Sequence, residues 1–435
     1  MRSAKLIAFH LTQFHPIPEN DAWWGEGFTE WTNVRRGRPL YPRHCQPQLP
    51  RELGFYDLRD EAARAAQDAL ARRFGIDGFC FYYYWFGGKR LLEQPVEAML
   101  AGGSPHLSFC LCWANENWTR RWDGKDDEIL IAQRHSPQDD IAMIRDLMRH
   151  FRDPRYIRVE GKPLLIVYRT DRLPDPRATV LRWREECRRA GVGEICLCAV
   201  RRFDMPPGGA SGFDALVDFP PHGLIAAELT RAMRGVAGDF RGRIFDYRDL
   251  LRDALHRYRL ARGPLPNYPG VMPSWDNTAR KGTRAHVYHG ATPLRYRAWL
   301  AEAIRAALED AQLAEPMVFI NAWNEWAEGC HLEPDQEYGM AWLEATQAAR
   351  ADARREERLW ARYGMKLPAL RPEDEQRLAG ASLEQIAAQL PLIHDPDTLP
   401  TRFALGIANL RRQVEGRPML RRAVLPLAKL LGLAD

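Results

Sequence analysis

The sequence predicts an α/β protein: a (β/α)8, TIM-type barrel followed by a small helical C-terminal extension. Three observations lead there. Eight short apolar runs recur along the chain, at residues 6–9, 76–85, 107–113, 164–168, 195–200, 215–218, 270–273 and 317–320, each of a length that suits one buried strand. Helical segments separate most of them, which is the pattern of parallel pairing. Polar and aromatic residues gather where the runs end and hardly at all where they start. An open doubly wound sheet is the alternative. It would carry a glycine-rich phosphate turn after an early strand, and none is present.

The run at 6–9 leads into His10 and Gln13. An aromatic stretch follows, Trp23-Trp24-Gly25-Glu26-Gly27-Phe28-Thr29-Glu30-Trp31, with no helical or strand period. It reads as a long functional loop. Amphipathic or helix-favouring segments then lie at 57–73, 95–100, 139–151, 178–189, 247–260 and 295–311. A charged helix at 340–363 would close the barrel. The run ends carry Gln13, Tyr84 and Trp85, Asn115 to Asn117, Arg169, His222, Trp275 to Asn277, and Asn321, Glu325 and Glu328. The starts carry Lys5, Asp77 and Lys162. Function in such barrels collects at the carboxyl ends of strands, so the asymmetry supports the assignment. Residues 1–363 are expected to form the barrel, and 364–435 a helical extension punctuated by Pro368, Pro372, Pro391, Pro396 and Pro400.

Composition narrows the function. The net charge is +5, and the arginines are interleaved with acids, which is not a nucleic-acid footprint. Fourteen tryptophans, many beside Asn, Asp or Glu, suit a polar ligand with apolar faces, such as a sugar. Eight cysteines form no CxxC pair. Cys80, Cys110, Cys112, Cys196 and Cys198 sit in apolar runs and read as buried, inert thiols suited to a reducing cytoplasm. The first ten residues hold too short an apolar stretch for a signal peptide, and no run is long enough to span a bilayer. A cytoplasmic protein is expected. The basic, apolar segment 419–431 suits either peripheral contact with the inner membrane face or packing on the barrel or a partner.

The most informative stretch follows the last run: Asn321-Ala322-Trp323-Asn324-Glu325-Trp326-Ala327-Glu328-Gly329. Two acids bracketed by tryptophans supply what glycoside chemistry needs. One group protonates a leaving oxygen, the other serves as base or nucleophile, and flat rings hold the sugar. Glu325 and Glu328 are therefore the catalytic candidates. Gln13, Trp24, Glu26, Glu30, Trp31, Tyr84, Trp85, Trp113, Asn115, Glu116, Trp118, Trp275, Asp276, Asn321, Trp323, Asn324 and Trp326 are the candidates for binding an oligo- or polysaccharide. For Glu116, pairing with Arg120 or Arg121 is an equal alternative. His222 reads as structural. No cluster has metal-ligand spacing, and neither metal nor cofactor is expected. Asp395-Pro396-Asp397 resembles the acid-x-acid pattern of metal-dependent nucleotide-sugar transferases but reads as a turn.

Three motifs in order carry a family resemblance. They are His10 to Pro16 with Trp24-Gly25-Glu26-Gly27-Phe28-Thr29-Glu30-Trp31; Cys112-Trp113-Ala114-Asn115-Glu116-Asn117-Trp118; and the Asn321–Gly329 stretch with Leu332-Glu333-Pro334-Asp335. The chain resembles the WbsX-like, glycoside hydrolase family 99-like proteins over roughly residues 5–350. The resemblance implies a place among polysaccharide-assembly functions (O-antigen, lipopolysaccharide or capsule). It also implies retaining chemistry at an α-glycoside. Glu328 becomes the general acid/base, and Glu325 the base toward the sugar 2-hydroxyl. The sequence differs from family 99 in Ala327 between Trp326 and Glu328 and in its own aromatic first loop. Three activities fit these residues: a hydrolase or transglycosylase, a glycosyltransferase using an activated or lipid-linked donor, and a non-catalytic glycan binder.

Overall fold

A computed structural model describes residues 3–120, 125–202, 205, 208–260, 263–355, 370–382, 385 and 386. Its barrel strands are β1 (Lys5–His10), β2 (Gly78–Phe86), β3 (Ser108–Trp113), β4 (Lys162–Val167), β5 (Cys196–Arg201), β6 (Ala215–Asp218), β7 (Asn267–Tyr268 and Gly270–Val271) and β8 (Met317–Ile320). Strand β7 is broken at Pro269, whose nitrogen bears no hydrogen to donate. Its first piece pairs with β6 and its second with β8, while β8 pairs with β1. All these pairings are parallel, so nine strand segments form a nearly closed barrel with eight positions. The expected fold class is correct.

The helices are α1 (Pro18–Trp24), α2 (Glu30–Arg36), α3 (Glu61–Arg73), α4 (Gln94–Leu100), α5 (Pro137–Phe151), α6 (Pro176–Arg189), α7 (Tyr247–Arg257), α8 (Thr278–Lys281), α9 (Pro293–Glu309), α10 (Ala341–Ala353) and α11 (Pro372–Ala379). The aromatic stretch after β1 is not the unstructured loop its pattern suggests. Pro18 opens α1, and Thr29 with Thr32 forms a capping box that starts α2. Seven-residue helices are too short to display a 3.6-residue period.

The β pleat sorts the aromatic residues of β2. Tyr82 and Tyr84 point into the barrel mouth, while Tyr83 and Trp85 point outward and donate to Asp146 and Asp139 of α5, at 2.9 and 2.8 Å. Phe9, Phe219 and Phe319 meet inside the barrel, with ring centroids 4.7–5.8 Å apart. Helix α11 packs on the last helices of the barrel. Its Glu375 accepts the Leu294 N–H at 3.0 Å, and its Ala379 carbonyl accepts from Arg297 at 3.1 Å.

The barrel and α11 belong to one compact unit. A second unit, residues 366–370 and 384–435, falls almost wholly outside the described residues. The 419–431 segment and Asp395 to Asp397 lie outside them, as does the expected end of the 340–363 helix. No described helix is long and apolar enough to cross a membrane.

The barrel seam has a testable weak point. A β-carbon on Gly270 would lie 2.0 Å from the Asp218 carbonyl oxygen of β6. Gly270→Ala is expected to cost about 3 kcal/mol or more by overpacking. Gly238→Ala, with nothing within 4 Å of the added carbon, should change stability by less than about 0.5 kcal/mol. Urea denaturation of both variants checks the contrast.

Candidate active site

At the carboxyl ends of the strands lies an open cavity of about 580 Å³. Its walls include Gln13, Trp24, Tyr82, Tyr84, Glu116, Asn117, Trp118, Tyr168, His222, Trp275, Asn277, Arg280, Lys281, Glu325 and Glu328. Trp24, Trp118 and Trp275 are partly exposed there and present flat apolar surface. Trp118 is fixed edge-on by Tyr84, at 5.2 Å, and by Trp23, at 5.9 Å. The Arg120 guanidinium lies 5.6 Å from the centre of the Trp24 ring.

The chemical centre is a cluster of three carboxylates around one guanidinium. Arg280 Nη1 lies 2.6 Å from Glu328 Oε1, and Nη2 donates to Glu325 Oε2 at 2.9 Å. Nε and Nη2 both reach Glu30 Oε1, at 2.7 Å. Burial pushes both Glu325, to about 8, and Glu328 upward. Arg280 opposes the rise, while Glu30 and, for Glu325, the neighbouring Glu328 add to it. Burial thus favours the protonated form of each group, and the two titrate as a coupled pair. Glu328 faces the cavity more openly, with 22% of its side chain exposed against 6% for Glu325. Among the described residues no His, Cys, Asp or Glu cluster is arranged to hold a metal ion. Arg280 occupies the point to which three acids would draw a cation.

The local structure explains how these groups meet. Glu325 precedes, and Glu328 closes, a single 3-10 turn, Trp326–Glu328, ended by Gly329 in a left-handed conformation. A β-carbon on Gly329 would come 2.9 Å from the Asp276 Cβ and carbonyl oxygen, so the close approach of the β7 and β8 loops needs glycine. The Asp276 N–H donates to the Glu328 carbonyl at 2.6 Å. The Asp276 carboxylate also caps α8, accepting from Thr278 N at 3.0 Å and Thr278 Oγ at 2.5 Å, and α8 carries Arg280. Its second oxygen accepts from His44 Nε2 and Gln46 Nε2, each at 2.6 Å. His44 Nδ1 accepts the Leu40 N–H at 3.0 Å, so the ring proton sits on Nε2.

Of the residues expected from the sequence, Gln13, Trp24, Tyr84, Glu116, Trp118, Trp275, Glu325 and Glu328 line the cavity, and Glu30 joins it through Arg280. The others are placed differently. Glu26 is exposed on a turn between two glycines. Trp31 is buried and donates to the Tyr56 carbonyl at 2.8 Å. Trp85 faces α5, and Trp113 packs against Trp183 of α6. Asn115 exchanges two hydrogen bonds, both 2.7 Å, with the Arg169 backbone. Asp276 is the cap just described. Asn321 donates to the Pro220 carbonyl at 2.8 Å, and Trp323 packs on Phe79. Asn324 bonds both backbone groups of Leu11, and Trp326 donates to the buried Glu333 at 2.6 Å. Apart from Glu26, each of these side chains is engaged by a neighbouring loop, strand or helix and does not line the cavity. Glu116 pairs with Arg169, at 2.6 Å, a partner the sequence reading did not consider. His222 lines the cavity and shares a 2.8 Å hydrogen bond with the Tyr168 hydroxyl.

Arg280 was absent from the sequence expectations. A signal existed: Asp276-x-Thr278 is a helix-cap pattern, and it opens the short helix that carries Arg280 in the loop after β7.

The chain belongs to the family described as glycosyltransferase WbsX, whose model matches residues 6–346. It is 51% identical over 349 residues to the uncharacterised protein WxcX of Xanthomonas campestris pv. campestris, in strain B100 and equally in strain ATCC 33913. That match covers 80% of this chain and 49% of WxcX, so the chain spans about half the length of the curated relatives it matches. A solved structure described as a glycoside hydrolase-like protein aligns with a TM-score of 0.51 at 15% identity, covering 80% of this chain and 94% of that one, a likeness of fold. A family 99 endo-α-mannosidase from Bacteroides thetaiotaomicron aligns with a TM-score of 0.49 at 15% identity, covering 84% of this chain and 99% of that one.

Glu333 gives this region its own test. It accepts from Trp326 Nε1, Tyr56 and Gln67 at 2.6, 2.8 and 2.7 Å. Trp326→Phe keeps the apolar ring and removes one donor to a buried carboxylate. The expected loss is about 2 kcal/mol in urea denaturation. A Glu333→Gln partner mutation should give a non-additive double-mutant cycle.

Proposed function

We propose that the protein makes or breaks α-glycosidic bonds of a surface polysaccharide of O-antigen or capsule type, with retention at the anomeric carbon. The observation that carries the reading is the Glu325–Glu328 pair, bridged by Arg280 beneath three tryptophans. Glu328, the more open acid, gives its proton to the glycosidic oxygen. Glu325 takes the proton of the sugar 2-hydroxyl. That oxygen attacks the anomeric carbon as the bond to the leaving oxygen breaks. Glu328, now a carboxylate, then deprotonates water or an acceptor hydroxyl. The acceptor oxygen opens the strained ring at the anomeric carbon, and Glu325 returns its proton to O2. Burial raises the proton affinity of Glu328, which supports its acid role near neutral pH, and the Arg280 guanidinium favours the ionised form that the base role of Glu325 requires.

The family description favours a second reading, in which the donor is an activated or lipid-linked sugar and the acceptor another sugar. The eight unpaired thiols suit a reducing compartment, and a substrate met in the cytoplasm before export is consistent with either reading. We take the barrel, residues 1–363, as the catalytic part and residues 364–435 as an extension to it.

Mass spectrometry of α-linked polysaccharide fragments, and separately of activated donors with acceptors, discriminates the outcomes. Shortened fragments mark a hydrolase, extended acceptors a transferase, and unchanged mixtures with retained glycan binding a binder. Glu328→Gln and Glu325→Gln should each lower turnover by about 1,000-fold. Full activity in Glu328→Gln would remove it from the acid role.

A further inference from the structure

Arg280 contacts three acids from two separate places in the chain: Glu30 on α2, and Glu325 and Glu328 at the start and end of the turn after β8. Its side chain is 15% exposed, and Glu30 is fully buried. A guanidinium is planar, with nitrogens at fixed spacing, so the two carboxylates on Nη1 and Nη2 are set apart by the geometry of the fork. The fork is itself set from two directions. Glu30 holds Nε and Nη2, and Asp276 caps the turn that carries the side chain. Because the Asp276 N–H also binds the Glu328 carbonyl, one residue registers both the arginine and the acid it touches.

We propose that Arg280 is the positioning residue of this site: anchored on Glu30 and aimed by the Asp276 cap, its guanidinium fixes the spacing of Glu325 and Glu328. The inference rests on the catalytic reading above only for its kinetic consequence.

The charges around the pair come from every element packed on it. Glu30 stands on α2, and Tyr82 and Tyr84 on β2. Glu116, after β3, is paired with Arg169, and Tyr168, after β4, is bonded to His222. Lys281 lies beside Arg280, and the Cys330 thiol follows the turn. Of these, Arg280 favours the ionised pair and Glu30 opposes it. Opposite charges at one locus therefore predict opposite effects, which a merely structural role would not produce.

The test is an infrared titration of the protonated-carboxyl band in the full chain, assigned by its change in Glu325→Gln and Glu328→Gln. Arg280→Met should move the loss of the band to higher pH, and Glu30→Gln to lower pH, each by roughly one unit or more. Arg280→Lys, which keeps the charge but not the fork, should lower glycan turnover about 100-fold with KM within about threefold. Circular dichroism establishes that each variant is folded, and Asp276→Asn serves as a second probe if Arg280→Met is not. The proposal is overturned if folded variants titrate as the parent does, or if no such band exists between about pH 5 and pH 9. Absence of turnover on every glycan would instead sink the proposed function and leave the titration result standing.

Discussion

A guanidinium shared by three carboxylates is the constraint on which the rest of the site depends. Withdrawing acids from water is costly, and the cost falls on their ionised forms. Arg280 offsets one charge outright, and burial raises the affinity of Glu325 and Glu328 for a proton. Burial thus favours the protonated form of each carboxyl group, and the arginine opposes that effect and holds the three acids together. Neither effect would persist in an open loop. Both need the low-dielectric surroundings that Tyr82, Tyr84 and the neighbouring tryptophans provide.

That requirement explains the investment in loop-to-loop contacts. The α2 segment, the β7 loop and the β8 loop must agree to within a hydrogen bond. Trp31, Phe14, Tyr56 and Trp326 form one aromatic seam between α2 and the β8 turn, and Trp326 stacks on His331 at 3.8 Å. His331 is in turn held by Asp335, at 3.1 Å. The tryptophans nearest Glu325 and Glu328 in sequence thus shape the loop, and tryptophans from distant segments face the cavity.

The fold was legible because barrel strands are buried on both faces and read as short apolar runs, even at β7, where Pro269 divides the strand. The acids after β8 were legible because Glu325 and Glu328 interrupt an apolar stretch. What escaped was direction. A pleat sends Tyr84 inward and Trp85 outward, yet neighbouring aromatic letters look alike. Asn, Asp and Trp at strand ends can hold sugar hydroxyls or backbone groups with equal chemical ease, and sequence spacing does not distinguish the two uses. Arg280 escaped because its role arises from partners at residues 30, 325 and 328, which only the closed barrel brings together.

Asn115 and Asn324 show where that ambiguity leads. Each uses its side-chain amide to bond both the N–H and the C=O of a residue in another segment, as a neighbouring peptide unit would. They extend the ladder of the sheet past its last strand residue, into the rim around the cavity. A scan of the rim by alanine replacement would therefore score them beside Glu325 and Glu328, since loss of a peptide-like bridge and loss of a buried acid disturb the same pocket. Separating the two groups calls for the shape of a titration curve, because the size of the defect would be common to both.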